Sequence, residues 1–531
     1  MKRFFGSAVF TACSLCAAFL LSSCGTSPEP LNVPETWSGS TLVATRYGVL
    51  AGVTDRNDTL SWKGIPYAEP PVGELRWRAP RPPKSWTGVK KTGSFEDSSL
   101  QRVPVVGWIS GKEDSLFLNV WRPADDRTKL PVYVWIHGGG NSTGSSGSSD
   151  YRGDAFAAKA GAVFVSVNYR LGPMGWFAHP ALKTGNPEDD SGNYGTLDLI
   201  AALGWIRDNI AAFGGNPGNV TIAGESAGAF NVLTLMLAPA ARGLFHRAVV
   251  ESGYRTDSTP EKMRNFAESL AKDLKLPGEN IARELRNADA KSILSRLAGS
   301  TSGMVSIPYP NWDGTVLPAE GFEAFRNPAK VVDVPLIIGT NKEETKIFQW
   351  LGRKNSKDPS YQTESLKASL NWKAEGADSI ADAILSGDPE RKVYVYRFDW
   401  GAPDSSGKSV LGGSAGAKLG AAHGMEIPFF LQTDSVYGNL LPLPIFTARN
   451  ARGRKDLQDS IGRYLTAFMV SGDPNKTPGT ENAIGKELPR WETWSASSPM
   501  PAFLILDAGF ESAEIRASTG RVTQEVKTQA P

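Results

Sequence analysis

The chain has 531 residues, 57 Lys and Arg against 55 Asp and Glu, a formal net charge of +2 and 40% hydrophobic content. This is the balance of a globular protein, without the basic excess of a nucleic-acid binder or the acidic, apolar-poor make-up of a disordered chain. All three cysteines, Cys13, Cys16 and Cys24, fall in the first segment, so the body can build neither a disulfide framework nor a thiolate metal site, and only four histidines exist to serve as a general base.

Lys2 and Arg3 followed by an apolar run from Phe4 to Leu21 have the form of an export signal. The run ends in Leu21-Ser22-Ser23-Cys24, which is similar to a bacterial lipoprotein signal. That likeness implies a signal peptide over residues 1–23, lipid carried on Cys24, and a protein held in the cell envelope. The stretch 24–38 has Pro and Ser but no apolar periodicity, so it reads as a flexible tether, with a single catalytic domain over 39–531.

Leu42 to Gly48 and the turn Asp55 to Asp58 read as an antiparallel edge, and Trp62 to Trp77 as a rigid Pro/Gly loop. Pro131–Ile136, Ala162–Val167, Val220–Ala223, Arg247–Val250 and Val334–Ile338 are continuous apolar runs, the mark of strands covered on both faces. Between the second and third, Leu197, Ile200, Leu203, Ile206 and Ile210 recur at helical spacing until Gly214-Gly215 ends the pattern. Strands alternating with helices predict parallel crossovers and an α/β fold, a mostly parallel central sheet with helices on both faces. The stretches 257–297 and 364–385 predict helical insertions.

The third strand runs into Gly224-Glu225-Ser226-Ala227-Gly228, after which Ala227 to Ala238 forms a helix-length apolar run stopped by Pro239. A serine lifted above a sheet needs a turn so tight that small residues must flank it, and the following amide, that of Ala227, then sits at a helix N-terminus where it can hold an oxyanion. His137-Gly138-Gly139-Gly140 follows the first strand, and consecutive glycines let amides approach a substrate oxygen. Asn341 to Thr345 follows the fifth strand and offers two adjacent carboxylates, Glu343 and Glu344. Chain order in such a fold, serine then acid then histidine, favours His423 over His137, His179 and His246 as base.

Several of these segments together carry a resemblance. Trp62 to Trp77, Glu113-Asp114-Ser115-Leu116-Phe117-Leu118-Asn119-Val120-Trp121, Val167 to Gly172, Gly192 to Asp198, Ala212 to Pro217 and Gly224 to Gly228 resemble the signatures of the type-B carboxylesterase family, the group that includes cholinesterases, over most of 41–510. The resemblance implies an α/β-hydrolase that cleaves carboxylic esters through an acyl-enzyme. It implies Ser226, Glu344 and His423 as the catalytic residues, with Gly139, Gly140 and Ala227 as oxyanion donors. Lactone, amide or carbamate cleavage by the same triad is the enzymatic alternative, and a non-catalytic binding protein of the same fold the other. The expected partner is a small ester, with membrane attachment through Cys24 and no nucleic acid. No dinucleotide fingerprint, Walker loop or His-Glu-x-x-His occurs, so no cofactor or metal is expected.

Three departures from the family pattern bear on the site. Asn141 and then a Ser/Gly loop to Ser149 follow the triple glycine where relatives often carry an aromatic, which predicts a more polar or more open acyl side. Ser115 stands where many relatives carry a disulfide cysteine, which predicts an untethered loop from Asp97 to Gly111 and leaves Trp108 as the one candidate for an aromatic cation site. Thr345 replaces a glycine after the acid. Glu225 is placed to tune the base or order water, or to serve structure alone.

Overall fold

The five apolar runs become the centre of one sheet because residues on both faces of each find cover. In the computed structural model, residues 35–103, 107–256, 258–297, 306–439, 441–476 and 488–521 are described. Signal residues 1–23 and Cys24 lie outside them. The main sheet contains β1 (Val53–Asp55), β2 (Thr59–Pro66), β3 (Phe117–Pro123), β4 (Leu130–Ile136), β5 (Val163–Val167), β6 (Gly215–Glu225), β7 (Arg247–Glu251), β8 (Leu336–Asn341), β9 (Val393–Phe398), β10 (Ala502–Leu506) and β11 (Arg516–Thr519). Their order is β11-β10-β9-β8-β7-β6-β4-β5-β3-β2-β1.

The block from β10 to β5 is parallel, and the strands at either end are antiparallel. Alternate residues of β6 face opposite layers: Val220 and Ile222 join one buried cluster, Ala223 the other. The first layer includes helix α1 (Tyr194–Asn209) and helix α2 (Ala227–Leu237), every residue of which is buried. The second is built on Leu457, Ile461, Leu465 and Phe468 of the helix Ala451–Ser471. Gly214, at φ 76°, ends the 3-10 turn that extends α1, as the glycine pair predicts.

Chain order and spatial order part company at β4. Its neighbours are β5 on one side and β6 on the other, so successive crossovers leave in opposite directions and open a crevice at the carboxyl ends of β4 and β6. Ligands bind at such a switch point in open α/β sheets. The glycine loop and Ser226 both lie there.

Several expectations change. Leu42–Thr45 pairs with Gly48–Ala51 in a separate three-stranded sheet, and the antiparallel edge of the main sheet is β1 with β2. The first residues of the Pro/Gly stretch, through Pro66, are strand. Trp37 is buried against Trp62 and under the Arg122 guanidinium, with its indole N–H donating to the Asp125 carbonyl, so packing reaches into the stretch read as tether. The loop beyond Asp97 is tied down after all: Ser99 and Ser115 share a 2.9 Å hydrogen bond, Ser99 Oγ donates to the Tyr169 carbonyl, the Leu100 amide donates to the Lys112 carbonyl and the Lys112 amide to the Ser98 carbonyl. A buried hydroxyl pair holds the place where a disulfide was absent.

Candidate active site

Ser226 sits between β6 and α2 at φ 58°, ψ −121°. A side chain in that region costs on the order of 1–3 kcal/mol and persists only where the surroundings over-determine it. Here its amide donates to the Glu251 carbonyl and its carbonyl accepts the Phe230 amide, both at 2.9 Å. A Cβ on Gly224 would lie 2.5 Å from the Gly228 backbone and 2.7 Å from the Ile136 carbonyl, and one on Gly228 would overlap that same carbonyl. Both flanking glycines are therefore required by close backbone approach.

The loop after β4 is equally constrained. Gly139 and Gly140 have φ of 104° and 61°, and among the described residues neither amide is taken up by a backbone carbonyl. Ala227 opens α2, so its N–H also points out of the helix. Asn141 does not polarise the cavity wall as expected. Its left-handed backbone, φ 50°, turns the side chain into the protein, where it exchanges two hydrogen bonds with Asn231 and accepts one from the Tyr169 hydroxyl, bracing the glycine loop from behind.

His423 is buried, and its Nδ1 lies 2.6 Å from Glu344 Oε2. Glu344 Oε1 accepts the Asn341 amide at 2.7 Å, so both carboxylate oxygens are engaged. Thr345 has an ordinary right-handed backbone, φ −84°, and needs no glycine. Glu343 turns the other way, to the buried Lys346 ammonium and the Ala421 amide, which makes it a brace for the His423 loop rather than a solvated acid. The other histidines are occupied: His137 Nδ1 lies against the Gly138 carbonyl, and burial pushes its pKa down to about 4. His179 and His246 accept local backbone amides. Trp108 is 66% exposed and is not part of the cavity wall.

His423 Nε2 makes no hydrogen bond and lies 3.1 Å from Glu225 Oε1. The imidazole is thus poised between two carboxyls. Burial opposes its protonation, but Glu225 and Glu344 outweigh that and hold its pKa above the ordinary histidine value. Burial, reinforced by Glu426 and Glu344 and opposed by His423, in turn raises Glu225. Glu426, whose oxygens accept from Ser252 Oγ at 2.5 Å and from the Asn341 side chain, is raised by burial and Glu344 to about 7.

Sequence reasoning missed Glu426 and a fourth carboxyl. Glu251 is opposite Glu225 in the β6–β7 register, is fully buried, and has no hydrogen bond to either oxygen. Burial first, then Glu426 and Glu225, push its pKa well above the ordinary carboxylate range and so favour the neutral acid. Nothing local marks it, because its burial follows from strand pairing. Also missed were Tyr254, Phe348 and Trp372, which with Gly140 and Ser226 line a cavity of about 1280 Å³.

The proton that folded Glu251 keeps is one that the unfolded chain releases above about pH 4.3, so this residue makes stability fall as pH rises. Glu251→Gln is expected to melt higher than the parent at pH 8, with the advantage shrinking toward pH 5. A melting difference that does not vary with pH would show that the buried acid is not the cause.

Residues 39–377 match the Carboxylesterase family. The para-nitrobenzyl esterase of Bacillus subtilis is 32% identical over 471 residues, 82% of this chain and 90% of that protein. The phenmedipham hydrolase of Pseudarthrobacter oxydans is 30% identical over 505 residues, covering 87% and 93%. Among solved structures, a Geobacillus stearothermophilus carboxylesterase superposes with a TM-score of 0.74 at 30% identity over 92% of this chain and all of that one. With these matches and an α/β-hydrolase sheet carrying the serine at its switch point, the chain belongs to the carboxylesterase family and is a carboxylic-ester hydrolase.

Proposed function

We propose that ester cleavage runs through Ser226 as nucleophile, His423 as general base and then acid, and Glu344 as the group that orients His423. The observation that carries this reading is the buried 2.6 Å contact between His423 Nδ1 and Glu344 Oε2, with the His423 ring packed against Phe348 and Trp372, which line the same cavity as Ser226 and Gly140. His423 turns its Nε2 from Glu225 to Ser226 Oγ and takes the hydroxyl proton as Oγ attacks the ester carbonyl. The oxyanion is received by the amides of Gly139, Gly140 and Ala227. His423 then gives the proton to the leaving alcohol, and a water, activated by the same imidazole, releases the acid.

Hydrolysis of a series of p-nitrophenyl esters tests the assignment. Ser226→Ala is expected to fall to background and Glu344→Gln to lose about 10³–10⁴-fold in kcat, while Glu343→Gln keeps most activity. Loss in the Glu343 variant and retention in the Glu344 variant would reverse the choice of acid.

The base must be neutral to accept a proton, so kcat/KM falls as pH drops through the His423 pKa, and that limb lies above the ordinary value near 6.5. Glu225→Gln removes one of the charges that hold the imidazolium, and the limb is expected to move down by about one unit or more. An unmoved limb would mean that Glu225 carries no charge beside His423 during turnover.

We further propose that the protein is exported and anchored in the cell envelope by lipid on Cys24, a reading supported by Lys2-Arg3, the apolar run and Leu21-Ser22-Ser23-Cys24. Radiolabelled palmitate should enter the parent but not Cys24→Ala. A parent that takes up no label would rule out the anchor.

A further inference from the structure

Trp372 lines the cavity beside His423, and its position is fixed by an unusual piece of helix. It lies near the end of the helix Pro359–Lys373, which passes into a π-helical turn, Ala374–Asp378, before Ser379–Gly387 resumes α geometry. Such wide turns are rare and concentrate at functional sites. Lys373 and Asp378 span this one with a buried ion pair whose contacts are 2.7 and 3.0 Å.

The turn docks on a single atom. A Cβ on Gly376 would overlap the Gly253 carbonyl oxygen, so the helix backbone rests directly on it, and the Trp372 indole N–H donates to the same oxygen at 2.8 Å. The indole is thereby set 4.8 Å from the His423 ring, parallel to Phe348 at 6.0 Å and edge-on to Tyr254 at 6.1 Å. Phe348 itself lies 5.2 Å from His423. All three aromatics face the cavity.

Which part of an ester meets this wall follows from proton transfer. His423 must deliver its proton to the leaving oxygen, so the group attached to that oxygen occupies the His423 side of the cavity, away from the glycine loop. There the wall is two parallel rings. We infer that Trp372, together with Phe348, is a specificity-determining residue that selects esters of planar, π-faced alcohols, and that the π turn exists to hold it there. This inference rests on the assignment of Ser226 and His423 above.

Benzyl acetate and cyclohexylmethyl acetate share the acyl group and nearly the same leaving-group size, and differ in whether the alcohol's ring is flat. Their kcat/KM ratio isolates the wall from the chemistry. The parent is expected to favour the benzyl ester. Trp372→Leu should lower the ratio about fivefold, the order of an aromatic contact, while Trp372→Phe, which keeps a ring, should retain most of it. Phe348→Leu, on a different element, should act in the same direction and serves if the Trp372 variant is poorly folded. Ratios unchanged within twofold in both leucine variants, with Ser226→Ala inactive, would overturn the wall and leave the nucleophile standing. Turnover in Ser226→Ala would overturn both.

Discussion

One imidazole buried among four carboxyl groups is the interaction on which the site depends. Taking charges out of water is costly unless they are paired and fully hydrogen-bonded, and among these acids the pairing is uneven. Glu344 has a donor for each oxygen, and Glu426 is held by Ser252 and Asn341, while Glu251 has none. Burial and mutual repulsion raise Glu225, Glu251 and Glu426, while Glu225 and Glu344 raise His423 against the cost of its burial. Such a cluster can stabilise the imidazole when it is charged without holding it charged throughout. The 3.1 Å approach of Glu225 Oε1 to Nε2 is the geometric form of the same balance.

A second constraint is the approach of backbone to backbone at the switch point. The Ile136 carbonyl lies so close to the elbow that neither Gly224 nor Gly228 can carry a side chain, and the chain then continues directly into the glycine loop. Ser226 and the glycine loop are thus positioned by one contact between β4 and the β6–α2 turn. The strained backbone of Ser226 is held by this packing and by the Glu251 carbonyl, which links the elbow to the next strand.

These relations divide what could be read in the sequence from what could not. The parallel strands were legible because burial on both faces demands continuous apolar runs, and the elbow because close approach demands glycine at fixed offsets. Chain order pointed to His423, and the family likeness chose Glu344 over the adjacent Glu343. By contrast, β9 is interrupted by Arg397, whose charge is answered by Asp399 two residues on, and so lacks the uniform apolar signature. Asn141 looked like a polar wall residue because its left-handed backbone, which reverses the side chain, has no mark in composition. The Ser99–Ser115 pair replaces a covalent strap with a hydrogen bond between residues sixteen apart, and Glu251 and Trp372 owe their places to strand register and to a carbonyl on another element. Non-local contacts of this kind leave no periodicity to read.

The end of β7 shows how much can hang on such contacts. Three consecutive residues there serve three different parts of the site: the Glu251 carbonyl receives the Ser226 amide, the Ser252 hydroxyl donates to Glu426, and the Gly253 carbonyl receives the Trp372 indole. Ser252 is itself in the left-handed region, φ 55°, with its amide bound to the Gly339 carbonyl of β8. The turn that follows the strand is what aims hydroxyl and carbonyl in these separate directions. A substitution that relaxed it would disturb nucleophile, acid network and aromatic wall together. The order of the site is therefore set less by the His423–Glu344 contact than by a strand end that lies behind it.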